Sequence, residues 1–229
     1  LARFFLKNTE MTSVVPAPFL FRYRFPAKYA PRPTGKSKSL PKMNQKHRLA
    51  SPAHLLKNEK PFGEISLGWN EEGLAFAVEV KGKSNPIICD SKNPTESDGI
   101  QIWLDTRNTQ NIHRASRYCH YFCVLPQVEK KNGKAIQVVP LTIPRAREDA
   151  ETVDVKKILA KISFSRQDYT LKLWFPGEQL YGWDPEANPY LGFYYHLKDA
   201  ELGDQYLSVG EEFPVAHDPS LWSTLELVR

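Results

Sequence analysis

Cysteine, methionine and long apolar runs are scarce in this chain, and each scarcity excludes something. Three cysteines, Cys89, Cys119 and Cys123, permit at most one internal disulfide, so a disulfide-stapled scaffold is ruled out. The odd count fits a reducing compartment slightly better than an oxidising one. Cys119 and Cys123 lie four apart in a strand-like run, on one face but about 13 Å apart at roughly 3.3 Å per residue. They cannot bridge each other there and read as small buried apolar side chains. No window approaches the roughly 18 consecutive apolar residues of a membrane span, so the chain reads as soluble, with no membrane partner. The opening residues, LARFFLKNTEMTSVVPAPFLFRYRF, put a lysine and polar residues inside what would have to be an apolar leader core, and no signal peptide is read there. Localisation is left unassigned. Also missing are the G-x-S-x-G, P-loop, zincin and dinucleotide fingerprints, and the reading is of a protein that is not an enzyme.

What is present points to strands. The chain has 229 residues, 41% apolar and 12% aromatic, an ordinary globular composition with length enough for one large all-β domain plus an extension. From Ile65 onward short extended runs follow one another: ISLGWN, LAFAVEV, GIQIWLD, YCHYFCVL, AIQVV, ISFS, YTLKLWF, LGFYYHL, QYLSV and STLELV. Gly, Pro, Asn or Asp separates them, the pattern of an antiparallel sandwich or barrel. Helix is expected to be minor. PGEQLYGWDP at 176–185 suits a single turn with Pro176 at its start and Gly182 at its stop, and 145–160 a short helix or a loop.

Charge divides the chain. Residues 1–60 carry 13 Lys and Arg against 2 Asp and Glu, leaving 18 against 24 for the remainder. A basic arm can hold nucleic acid through phosphates or lie across its own acidic body. Pro16, Pro18, Pro26, Pro31, Pro33 and Pro41 interrupt any helix that would enter a groove, which favours the second reading over nucleic acid. Within the arm, ARFFLKN and PFLFRYRF read as strands able to add to a sheet edge, and 30–48 as a loop or linker.

The segment Ser97 to Asn108 carries the most information. Ile100, Ile102 and Leu104 alternate with Gln101, Trp103 and Asp105, predicting a strand with one face on a core and a polar-aromatic face offered outward. Asp98 opens that strand and Leu104-Asp105 closes it. Near the end come Gly192-Phe193-Tyr-Tyr-His-Leu-Lys-Asp199, an acidic turn over Ala200 to Asp204, and DPSLWSTLELV at 218–228. Together these resemble a family 9 carbohydrate-binding module, a β-sandwich related to the DOMON group, over roughly residues 60–229.

The resemblance implies an all-β, antiparallel, jelly-roll-like β-sandwich at 51–229 with a basic N-terminal extension at 1–50. It implies a non-catalytic module that takes a sugar or polysaccharide on a concave sheet face, with a catalytic protein as a further partner. Such a site needs flat aromatics for sugar C–H faces and planar polar groups for hydroxyls. The family's two clamping tryptophans are replaced here, one by Thr95 and one by the Trp-free loop after QYLSVGEEF. Its polar ligand positions read Gln101, either His120 or Arg117, and His196. The expected ligand-binding set is therefore Gln101, Trp103, Arg117, His120 and His196, with Trp69 or Trp183 as stacking rings. No cofactor is required. Structural calcium is allowed at Asp98, Asp105 and the Asp199 to Asp204 loop, where solvated acidic turns are the equal alternative. His120 and His196 across neighbouring strands would suit zinc or copper, although no close ligand spacing accompanies them. Haem lacks axial candidates, since Met11 and Met43 fall outside the matching body. Arg107, Arg114 and Arg117 suit an anion or, alternatively, pairing with the acidic body. An interaction or scaffolding domain, its basic arm holding a protein or nucleic acid, is the competing reading.

Overall fold

A computed structural model describes residues 22–32, 39–52, 60–129, 133–165 and 167–229. Eleven strands form it: β1 (Arg24–Tyr29), β2 (Gly63–Asn70), β3 (Gly73–Val80), β4 (Gly99–Asp105), β5 (Cys119–Glu129), β6 (Gly133–Leu141), β7 (Leu159–Phe164), β8 (Tyr169–Pro176), β9 (Tyr190–Asp199), β10 (Gly203–Tyr206) and β11 (Ser223–Val228). They hydrogen-bond in the order β6-β5-β4-β9-β11-β1-β2-β3-β8-β7, with β10 added to β9. The path folds back on itself, so that β5, β4 and β9 pack over β3 and β8. Phe76 meets Phe193 at 6.2 Å and Phe122 meets Phe175 at 4.9 Å between ring centres. The all-β sandwich expected from the sequence is therefore observed, and the strand-like runs from Ile65 onward become strands, except that QYLSV gives only Gln205 and Tyr206 to β10.

Two features depart from the expectation. Pairing is antiparallel throughout except at β1, which runs parallel to both β11 and β2. β1 also joins the two layers instead of adding to an edge. Pro26 is tolerated because β2 contacts β1 only at Lys28 and Tyr29, leaving one side of the strand unpaired at the proline. The run ARFFLKN and residues 18–21 of PFLFRYRF lie outside the described residues, and only Arg24 and Phe25 of the latter run fall in β1. Within the stretch read as linker, residues 39–48 pack on the sheet: Asn44 and His47 close a capping box around a 3-10 turn, His47 is buried, and Arg48 bridges to Ser66.

The 176–185 stretch behaves as its composition suggests. A 3-10 turn at Gly177–Gln179 follows Pro176, and Gly182 takes φ +83° where an added Cβ would strike the Tyr118 ring and Thr106 Oγ1. The 145–160 region is loop with one 3-10 turn at Val155–Lys157. Among the described residues no helix is long and apolar enough to cross a membrane.

Candidate functional site

Register places the polar face of β4 in the middle of a layer. Gln101 stands opposite Cys123 on β5 and His196 on β9, and His196 in turn stands opposite Tyr206 on β10. The next row is Tyr121, Trp103 and Tyr194. Because side chains alternate, both rows point away from the inter-sheet core formed by Ile100, Ile102 and Leu104.

This outer face is not open, and β4 is buried on both sides instead of one. Trp103 stacks on Tyr121 at 4.5 Å and packs against Tyr194 at 5.6 Å. The Tyr194 hydroxyl donates to the Val209 carbonyl, pinning the 207–216 segment over one flank. On the other flank the Thr95 carbonyl accepts from the Gln101 amide and the Pro94 carbonyl from the Cys123 thiol. Trp103 is thus the packed floor of the face, with no room for a ligand on its ring.

Between the flanks runs one chain of hydrogen bonds. The Tyr121 hydroxyl donates to Gln101 Oε1 at 2.5 Å, Gln101 Nε2 donates to His196 Nδ1 at 3.4 Å, and His196 Nε2 donates to Asp204 Oδ1 at 2.6 Å. One tautomer of His196 serves both contacts. Burial lowers the His196 pKa, and the Asp204 carboxylate beside it offsets only part of that effect. Tyr206 covers the imidazole, its ring 4.4 Å away and tilted by 19°, with its hydroxyl on Glu211. Lys198 and Glu96 pair at 2.6 Å across the rim. The surface of this row therefore offers the Asp204 carboxylate and the partly exposed Tyr206 ring, with both imidazole nitrogens engaged beneath them.

Of the five residues expected to bind ligand, Gln101, Trp103 and His196 share this face, and two do not reach it. His120 stands opposite Leu104, so it points into the core, where it stacks with Phe122 and donates to the Tyr181 carbonyl. Burial pushes its imidazole down to about 4. His120 and His196 lie on opposite sides of the layer, so the two cannot share a metal ion. Arg117 is exposed before β5 and pairs with Glu148 at 3.1 Å. Arg114 donates to the carbonyls of Arg145 and Ala146, while Arg107 and Arg117 both lie over the Tyr118 ring, at 4.9 and 5.9 Å from its centre. Trp69 is in the core and donates to the Val228 carbonyl, while Trp183 donates to the Glu71 carbonyl beside Gly177. Tyr121 and Tyr206 are absent from the expected ligand-binding set, and Asp204 enters the sequence reading only as part of the acidic turn allowed for calcium. Tyr121 shares the face of Cys123, a phase that only the register with β4 fixes.

The carboxylates considered for calcium have other partners. Lys83 Nζ lies 2.9 Å from Asp199 Oδ1, 3.1 Å from Asp98 Oδ2 and 3.9 Å from Glu201. Asp98 also accepts from the backbone N–H of Ile88 and Ala200, and Asp199 from those of Glu201 and Leu202. Asp105 accepts from the N–H groups of Arg107 and Thr109. A lysine ammonium therefore stands where a cation would be expected. Among the described residues no three His, Cys, Asp or Glu side chains come together in a metal-binding group.

No protein-family model matches the sequence, and no curated protein does. Solved structures do match the fold. A family 9 carbohydrate-binding module from Caldicellulosiruptor kristjanssonii, in complex with glucose, is 13% identical with a TM-score of 0.55, covering 90% of this chain and 96% of that one. A family 9 carbohydrate-binding module from the same organism, in complex with cellotriose, gives 14%, 0.52, 90% and 93%. A candidate carbohydrate-binding protein from Bacteroides uniformis gives 11%, 0.55, 90% and 99%. At these identities the likeness is one of fold.

Proposed function

We propose that this chain is a non-catalytic carbohydrate-binding module whose sugar site is the outer-face row running from Tyr121 through Gln101 and His196 to Asp204. The observation that carries the reading is the directed hydrogen-bond chain along that row, with the partly exposed Tyr206 ring at its end. Each acceptor is oriented by the donor behind it, so the rim groups are held in place before a ligand arrives, which lowers the ordering cost of binding. Asp204, held by the His196 imidazole and open to solvent, suits sugar hydroxyls, and Tyr206 suits a sugar C–H face. The fold's likeness to modules seen with glucose and cellotriose supports a neutral glucan end as ligand. In this role the chain holds a polysaccharide for a catalytic partner and makes or breaks no bond itself.

Calorimetric titration with glucose, cellobiose, cellotriose and matching xylan, mannan and galactan oligomers tests the proposal. Binding with Kd of about 1 mM or tighter is expected for at least one series, weakened at least about tenfold in Gln101→Ala and Asp204→Asn. No heat with any sugar, or unchanged affinity in both variants, would overturn it.

A further inference from the structure

A second hollow of about 880 Å³ lies on the opposite layer, across the outer faces of β2, β3, β8 and β7, with residues 39–45 along one side. Its floor follows from register. One row reads Lys161, Lys172, Ala77 and Ser66, and the next Ser163, Thr170, Glu79 and Glu64. Each row therefore sets two like charges directly opposite one another, Lys161 against Lys172 and Glu79 against Glu64. Directly opposed side chains approach to about 5 Å, and like charges there are destabilising.

The two pairs are treated differently. Lys81 Nζ lies 3.3 Å from Glu64 and 3.5 Å from Glu79, and Arg48 pairs with Glu64 at 2.5 Å. The acidic pair is thus neutralised. Among the described residues neither Lys161 nor Lys172 makes an ion pair, and nor does Lys42 on the side wall.

We propose that this hollow binds an anionic oligosaccharide, with a sugar carboxylate seated between Lys161 and Lys172. A carboxylate there meets two ammonium groups and removes their mutual repulsion. The small Ala77 and Ser66 leave space beside the lysines. Ser66, Thr170, Asn44 and Gln45 face sugar hydroxyls, and Leu40 and Met43 supply an apolar wall. A polynucleotide suits the hollow less: among the described residues no aromatic ring lines it for base stacking. The site is separate from the Gln101 row and stands whether or not that row binds sugar.

Titration of the full chain at low salt with trigalacturonate, its methyl ester and a single-stranded DNA oligomer tests the assignment. Trigalacturonate is expected to bind, and the ester at least about tenfold more weakly. Lys172→Ala and Lys161→Glu each lose at least about tenfold, while Gln101→Ala retains binding. Both lysines are exposed, so the variants are expected to fold. Lys161→Glu, which replaces a repulsive pair by an attractive one, is expected to melt above the parent. No binding of the acid, equal binding of acid and ester, tighter binding of DNA, or indifference to both lysine substitutions would overturn the proposal.

Discussion

Lys83 Nζ and Asp199 Oδ1 meet at 2.9 Å with both side chains almost wholly sealed from water. Burial pulls the ammonium pKa down, but the hydrogen bonds to Asp199 and Asp98 outweigh it and the net shift is upward. The sign follows: this group's contribution to stability is complete below its unfolded pKa and is lost as pH rises through the higher folded value. Lys83→Met leaves two buried carboxylates without a counter-charge and is expected to cost about 3–5 kcal/mol in urea unfolding.

His120 sets the acid side. Its folded pKa of about 4 lies below the ordinary 6.5 because burial disfavours the imidazolium. The unfolded chain therefore binds the proton more readily, and stability present above pH 6.5 falls as pH drops towards 4, by on the order of 3 kcal/mol. His196 is shifted in the same direction. Urea midpoints measured across this range in His120→Phe are expected to show a shallower decline than in the parent.

Trp103 makes its contribution through its rings. Its Nε1 has no acceptor among the described residues, whereas its ring is clamped by Tyr121 and Tyr194. Trp103→Phe is expected to cost about 1 kcal/mol or less, because it also removes a buried unpaired donor. Trp103→Ala is expected to cost about 3–5 kcal/mol. Thermal unfolding of the two variants distinguishes packing from hydrogen bonding.

The thiols are expected to be inert. Burial pushes Cys89 up to about 11 and Cys119 and Cys123 up to about 12, so almost no thiolate exists near neutrality. A disulfide reagent at pH 8 should titrate the buried Cys119 and Cys123 only as fast as the chain unfolds, and the half-buried Cys89 slowly but ahead of them.

Much of this fold could be read in the sequence because strand alternation is a local property. Gly99 to Asp105 shows it well: each inward residue is apolar, and Gln101 and His196, read as sharing a face, stand directly opposite each other. The phase of β5 was harder to read, since Cys119, Tyr121 and Cys123 on one face and Phe122 and Val124 on the other are all compatible with burial. A choice of one residue there moves His120 from the site to the core. Lys83 was unreadable for a different reason. Its partner Asp199 lies 116 residues along the chain, and only the packing of loops at one end of the layers brings them together. The covering of Trp103 by the 207–216 segment is likewise a tertiary event that no local pattern records.

Chemical-shift mapping of the labelled chain with cellotriose, extended to the sugar giving the largest heat, tests the central claim most directly. The account predicts shifts concentrated on the His196 imidazole, the Gln101 side-chain amide and Tyr206, abolished by Gln101→Ala. Shifts confined to other surfaces, or none with any sugar at about 10 mM, a level that detects even very weak binding, would contradict it.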